Sequence, residues 1–170
     1  RRLELLRRLP LLLALFAAAS VQSATASSPA GGGGGGETVK IGLITPIDSP
    51  GVSNPDDGDA FLAAIDYWNK QGGVGANGDK LEGVVCDSHG DPNGEVECAR
   101  QMVEEGVVAT TGDLVYLNTS GVVEVLQGAG IPRIGNSAGD RDQFSSTVSY
   151  PVSAGPVGEF VAAGKALVDK

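Results

Sequence analysis

The sequence is short of positive charge, histidine, cysteine and aromatic rings, and each shortage closes off a class of function. Twelve Lys and Arg stand against 21 Asp and Glu, for a formal net charge of −9. No basic surface is therefore available to neutralise nucleic-acid phosphates or to bind an anionic membrane. One His and two Cys, not spaced as C-x-x-C, cannot make a protein-only zinc site, so neither a metal nor a cofactor is expected. The segment from Thr45 to Gly51 lacks G-x-G-x-x-G, and no G-x-x-x-x-G-K-[ST] occurs, which leaves nucleotide binding without support. The apolar run from Leu9 to Ala19 has eleven residues, well short of the roughly 20 that span a bilayer.

That short run has another reading. Arg1, Arg2, Arg7 and Arg8 precede it and Ala24-Thr25-Ala26 follows as an A-x-A cleavage site, so residues 1–26 read as a secretory signal peptide and the protein as exported, to a periplasm or a cell surface. No Cys follows the run to accept a lipid, and a first residue of Arg rather than Met reads as a missing true start. Residues 27–37, rich in Ser and Gly, bury nothing and read as a flexible linker.

Beyond the linker, apolar and helical patterns alternate. Val39–Thr45 is β-branched and apolar, a Pro/Gly/Asn/Asp loop follows, and Phe61, Ala64, Ile65 and Trp68 fall at helical spacing behind Asp56 or Asp57 as cap, with Gly72-Gly73 as the stop. Leu81–Cys86 is a second strand, and Asp91-Pro92 opens a helix with the stripe Val96, Ala99, Met102 and Val103. Val107–Thr111 is a third strand, followed by a helix capped by Ser120 and bearing Val122, Val123, Val125 and Leu126; Ile131–Ile134 and Thr147–Val152 complete five strands. Such alternation predicts an α/β fold with a doubly wound parallel sheet. Ligands bind such sheets outside the carboxyl ends of the strands, which points to the loops 46–56, 87–91, 112–118 and 135–140.

Gly135-Asn136-Ser137-Ala138-Gly139 fits the G-x-S-x-G nucleophile elbow of a secreted α/β serine hydrolase, but the one His, His89, lies upstream, and the following residues 140–146 carry almost no apolar stripe. The same five residues suit a ligand cradle, where small residues allow close backbone approach and Ser137 supplies a hydroxyl. His89 reads as a solvated loop residue, Asn118-Thr119-Ser120 as a helix-capping turn that also matches a glycosylation sequon, and the scattered acidic residues as a solvated surface. Cys86 ends a strand and Cys98 lies on the helix packing back over it, so an exported chain is expected to join them in a disulfide.

The residues Val39-Lys40-Ile41-Gly42, Ala64-Ile65-Asp66-Tyr67-Trp68-Asn69, Gly72-Gly73-Val74, Gly78-Asp79-Lys80-Leu81, Asp91-Pro92 and Gly130-Ile131-Pro132, in that order, resemble the start of a type I periplasmic binding protein, in particular the leucine/isoleucine/valine-binding family of ABC importers. The resemblance implies a non-enzymatic, monomeric solute-binding protein, serving an ABC permease and closing two lobes on an amino acid or similar small polar solute. Residues 38–150 would be the first lobe, and 151–170, with Phe160, Val161, Gly164 and Leu167, the crossover and first helix of a second lobe that is largely missing. By the same resemblance the ligand contacts fall on Tyr116 (where the family has a Ser) or Asn118, on Ser137, Ala138 and Gly139 (the last where the family has a Thr), and on Ser53 in the first loop. A ligand-sensing receptor ectodomain shares this fold and remains an alternative beside the hydrolase.

Overall fold

The computed structural model describes residues 36–136 and 138–169; the expected signal peptide, most of the linker, Ser137 and Lys170 lie outside the described residues. The elements run β1 (Thr38–Thr45), α1 (Pro55–Lys70), β2 (Lys80–Asp87), α2 (Pro92–Glu104), β3 (Ala109–Thr111), α3 (Thr119–Ala129), β4 (Arg133–Ile134), α4 (Arg141–Ser145), β5 (Ser149–Tyr150) and α5 (Gly155–Val168). One sheet of order β2-β1-β3-β4-β5 joins them, every pairing parallel. The doubly wound α/β architecture is as the alternating pattern predicts.

The later strands are shorter than predicted, because helix ends claim their first residues. The Val107 N–H donates to Met102 O at 3.0 Å and the Ile131 N–H to Leu126 O at 2.9 Å. Each closes a helix past a left-handed glycine, Gly106 or Gly130, both at φ 70°, which is how αL-type helix ends satisfy their orphan carbonyls. Val107 and Ile131 are thus buried as helix-terminal plugs, and the ladder begins two residues later. Two predicted caps also move. Asn54 precedes α1, with Pro55 in its first turn, while Asp57 accepts from Thr45 Oγ1 at 3.0 Å. Asn118, not Ser120, caps α3, its Oδ1 accepting the Gly121 N–H at 3.2 Å. Asp91 caps α2 as predicted, accepting from Asn93 and Gly94.

The helices divide between two faces. On one, Gly83 lets α1 approach so closely that an added Cβ would sit 2.8 Å from Leu62 Cδ2 and 2.9 Å from Phe61 Cε1. On the other, a Cβ on Gly42 would lie 2.4 Å from Met102 Sδ, and Ile44, Cys98, Ala99, Met102, Val122 and Leu126 form the core beneath α2 and α3. The core accounts for the predicted stripe of α2 except Val103, which is exposed, and on α1 only Phe61 and Ile65 are shielded while Ala64 and Trp68 face outward. Ile134 and Tyr150, paired across β4 and β5, are also exposed.

Cys86 and Cys98 are disulfide-bonded, with Cα atoms 5.5 Å apart, stapling edge strand β2 to α2. At the opposite end of the core Asp113 is buried with Arg133. Its Oδ1 accepts the Ile44 N–H at 3.0 Å, and its Oδ2 accepts Arg133 Nε at 3.1 Å and the Thr110 hydroxyl. One carboxylate thus holds β1, β3 and β4 in register.

Two stability outcomes follow. Reducing the disulfide, or Cys98→Ala, is expected to lower unfolding free energy by roughly 3 kcal/mol in urea titrations, since it releases a loop whose ends are 12 residues apart. Asp113→Ala should cost about 3–5 kcal/mol by the same assay, because it leaves the Arg133 charge buried and unpaired; a loss below about 1 kcal/mol would contradict the role assigned to Asp113.

Candidate functional site

Four loops meet at the carboxyl edge of the sheet, and carboxylates shape them. Asp87, the last residue of β2, reaches across to the loop after β1: its oxygens accept the N–H groups of Ile47 at 2.9 Å and Asp48 at 3.1 Å, and that of His89 at 2.8 Å, while His89 Nδ1 lies 3.0 Å away. Burial pushes the Asp87 carboxyl up, but the amides of His89, Ile47 and Asp48 outweigh it and hold the group below its ordinary range. In the same loop the Ser53 hydroxyl donates to Ile47 O at 2.6 Å, which commits its proton to the loop's own turn.

The loop after β3 is fixed from beneath. Glu95 on α2 is fully buried, and its carboxylate accepts three successive main-chain N–H groups, from Tyr116 at 2.9 Å, Leu117 at 3.1 Å and Asn118 at 2.6 Å. Buried carboxylates persist only when so satisfied. Tyr116 is left partly exposed, its hydroxyl lying near Gly90 beside Ser49. Asn118 turns the other way: besides capping α3 it donates from Nδ2 to Pro92 O at 3.3 Å.

The loop after β4 carries Gly135 at φ 79°, a buried Asn136 whose Nδ2 donates to Gln143 Oε1 and Ser149 Oγ, both at 3.3 Å, and a fully buried Ala138. The Ala138 carbonyl abuts Gly155, where a Cβ would lie 1.6 Å from its oxygen. Gly139 is open to space, and Asp140 caps α4 through the Gln143 N–H at 3.0 Å while also accepting from Gln143 Nε2 and the Thr119 hydroxyl. Burial raises the Asp140 carboxyl, but these bonds, the Asp142 amide and the Arg133 charge bring it below its ordinary value.

Between these two loops lies a cavity of about 220 Å³, walled by Tyr116, Thr119, Gly139, Asp140, Gln143 and Pro156 among others. Of the predicted contacts it brings Tyr116 and Gly139 together. Ser53 and Asn118 serve loop geometry instead, Ala138 is buried beside it, and Ser137 lies outside the described residues. A larger groove of about 780 Å³, lined by Val96, Arg100, Asn118 and Val125 among others, runs between α2 and α3, away from the strand ends. Among the described residues no group of His, Cys, Asp or Glu could hold a metal ion, and no helix is long and apolar enough to cross a membrane.

Sequence reasoning missed Thr119, Asp140, Gln143 and Glu95. Asp140-Arg141-Asp142-Gln143 has the spacing of a capping box. Glu95 sits three, four and seven residues before Cys98, Ala99 and Met102, on the buried stripe, where an acid signals an internal acceptor. The reading of the acidic residues as a solvated surface is thereby corrected: Asp87, Glu95, Asp113 and Asp140 are all internal acceptors. Glu95→Gln is expected to speed hydrogen exchange at the amides of residues 116–118 and to cost about 1–3 kcal/mol in stability, since an amide group cannot accept from every N–H there.

Comparison with known proteins agrees with this architecture. A family model described as periplasmic binding protein matches residues 38–170. A curated relative, the leucine-, isoleucine-, valine-, threonine-, and alanine-binding protein of Pseudomonas aeruginosa, is 33% identical over 135 residues, which are 74% of this chain and 36% of that protein. The chain thus spans about a third of that relative's length. Two solved structures share the fold: a possible leucine/isoleucine/valine-binding protein from Rhodopirellula baltica, with TM-score 0.68, 18% identity and coverage of 78% of this chain and 36% of the other, and the branched-chain amino acid transporter substrate-binding protein of Streptococcus pneumoniae in complex with isoleucine, with TM-score 0.61, 20% identity and coverage of 70% and 34%. With its parallel sheet, its loop cavity at the strand ends and a family match running from β1 through α5, the chain belongs to the periplasmic binding protein family.

Proposed function

We propose that the chain is the first lobe of an exported solute-binding protein that delivers an amino acid or similar small polar solute to an ABC permease, without catalysis. The observation that carries this reading is the cavity between the β3 and β4 loops, at the sheet edge where doubly wound folds bind ligands. The reading is supported by the family match and by the binding named for the Pseudomonas relative. Tyr116 and Gly139 are its ligand contacts in this lobe, with Ser137 from the same loop as Gly139, while Ser53 and Asn118 shape their loops. Residues 1–26 are the export signal, residues 27–37 the linker, and residues 151–170 the crossover and first helix toward a second lobe. The mature protein acts as a monomer.

The hydrolase reading has no base: the one His of the sequence, His89, is exposed and pairs with Asp87. Calorimetry and thermal melts of the full-length protein with L-leucine, L-isoleucine, L-valine, L-threonine and L-alanine test the proposal. A ligand at about 100 times its Kd should stabilise the fold by roughly 2.7 kcal/mol. Absence of any binding, together with labelling of Ser137 by a fluorophosphonate probe, would replace solute binding with hydrolysis.

A further inference from the structure

The cavity has a chemical polarity that the fold does not dictate. None of its wall residues is basic, and the sequence around it is acidic overall, at −9. Its one charged wall group is the Asp140 carboxylate, half-buried and oriented by Gln143 and Thr119. Arg133, the cation that acts on Asp140, is fully buried, is not a wall residue, and gives its Nε to Asp113. Opposite Asp140 the wall includes the Tyr116 ring, and an anionic carboxylate beside an aromatic face is the combination that attracts an alkylammonium.

The donors that would hold a carboxylate are missing from the same place. Three successive main-chain N–H groups form a natural anion nest, and the β3 loop has such a set in Tyr116, Leu117 and Asn118. All three point inward to Glu95, at 2.9, 3.1 and 2.6 Å, and the next cap position is closed by Asn118 Oδ1 on the Gly121 N–H. The protein has in effect supplied its own carboxylate to the nest.

We infer that this cavity takes the ligand's ammonium group, with Asp140 as counter-ion and Tyr116 as aromatic wall, and that Glu95 is the residue that denies the β3 loop to a ligand carboxylate. The inference rests on the solute-binding reading and deepens it: this lobe selects for a primary amine, and a ligand without a carboxylate remains acceptable to it.

Three probes of one skeleton separate the possibilities in the full-length protein: L-leucine, 3-methylbutylamine, which lacks the carboxylate, and 4-methylpentanoate, which lacks the ammonium. The expected result by calorimetry is that the amine keeps binding within about tenfold of L-leucine while the acid binds at least about a hundredfold more weakly. Asp140→Asn, which retains a helix-capping side chain, should weaken L-leucine and the amine by about 10- to 100-fold, as loss of a charge-assisted bond does. Tighter binding of 4-methylpentanoate than of 3-methylbutylamine, or an Asp140→Asn variant that binds L-leucine as the parent does, would overturn the inference and leave the solute-binding reading intact. Failure of all five amino acids named above to bind would bring down the solute-binding reading, and this inference with it.

Discussion

The buried Asp113 carboxylate is the point on which the rest of the lobe depends. It receives a main-chain N–H from β1, a hydroxyl from β3 and a guanidinium from β4, and so ties together the three central strands, two of which supply the loops that wall the cavity. Burying two ions is expensive, and their attraction offsets that expense only when hydrogen bonds complete the pair. Asp113 meets this condition; on Arg133, Nη1 and Nη2 have no hydrogen-bond partner among the described residues. The pair is better understood as fixing one strand arrangement than as a large net source of stability.

Around this centre the acidic residues divide the labour of positioning loops. Asp87 joins the first and second loops, Glu95 fixes the third from the helix layer, and Asp140 ties the fourth to the start of α3. Each works by accepting N–H or O–H groups that a loop cannot pair within itself, which loops at a sheet edge require. The acidic composition is thus partly an architectural resource.

The sheet was legible because β-branched runs and helical stripes are local signals, and the two glycines that end α2 and α3 were legible as stops. The exact starts of β3 and β4 were not, because Val107 and Ile131 look like strand residues while their amides serve the preceding helices. The cap of α3 was misplaced by two residues, since Asn118 and Ser120 are equally good caps in sequence and only the position of the loop over Glu95 selects between them. Tyr116 and Gly139 were placed correctly at the strand ends, whereas Asp140 and Glu95 depend on contacts between residues 21 and more positions apart. An acid on a buried stripe was nonetheless visible in the sequence.

Gly42 and Gly83 stand on neighbouring strands one register step apart, since Ile41 pairs with Gly83 and Gly42 with Val84. One admits the Met102 side chain of α2 and the other Leu62 and Phe61 of α1, from opposite faces. The three-layer sandwich is therefore thinnest at this point, like a waist. Any side chain there would wedge a whole helix outward, so tolerance to substitution should be lowest at this waist, a part of the molecule that meets no solute.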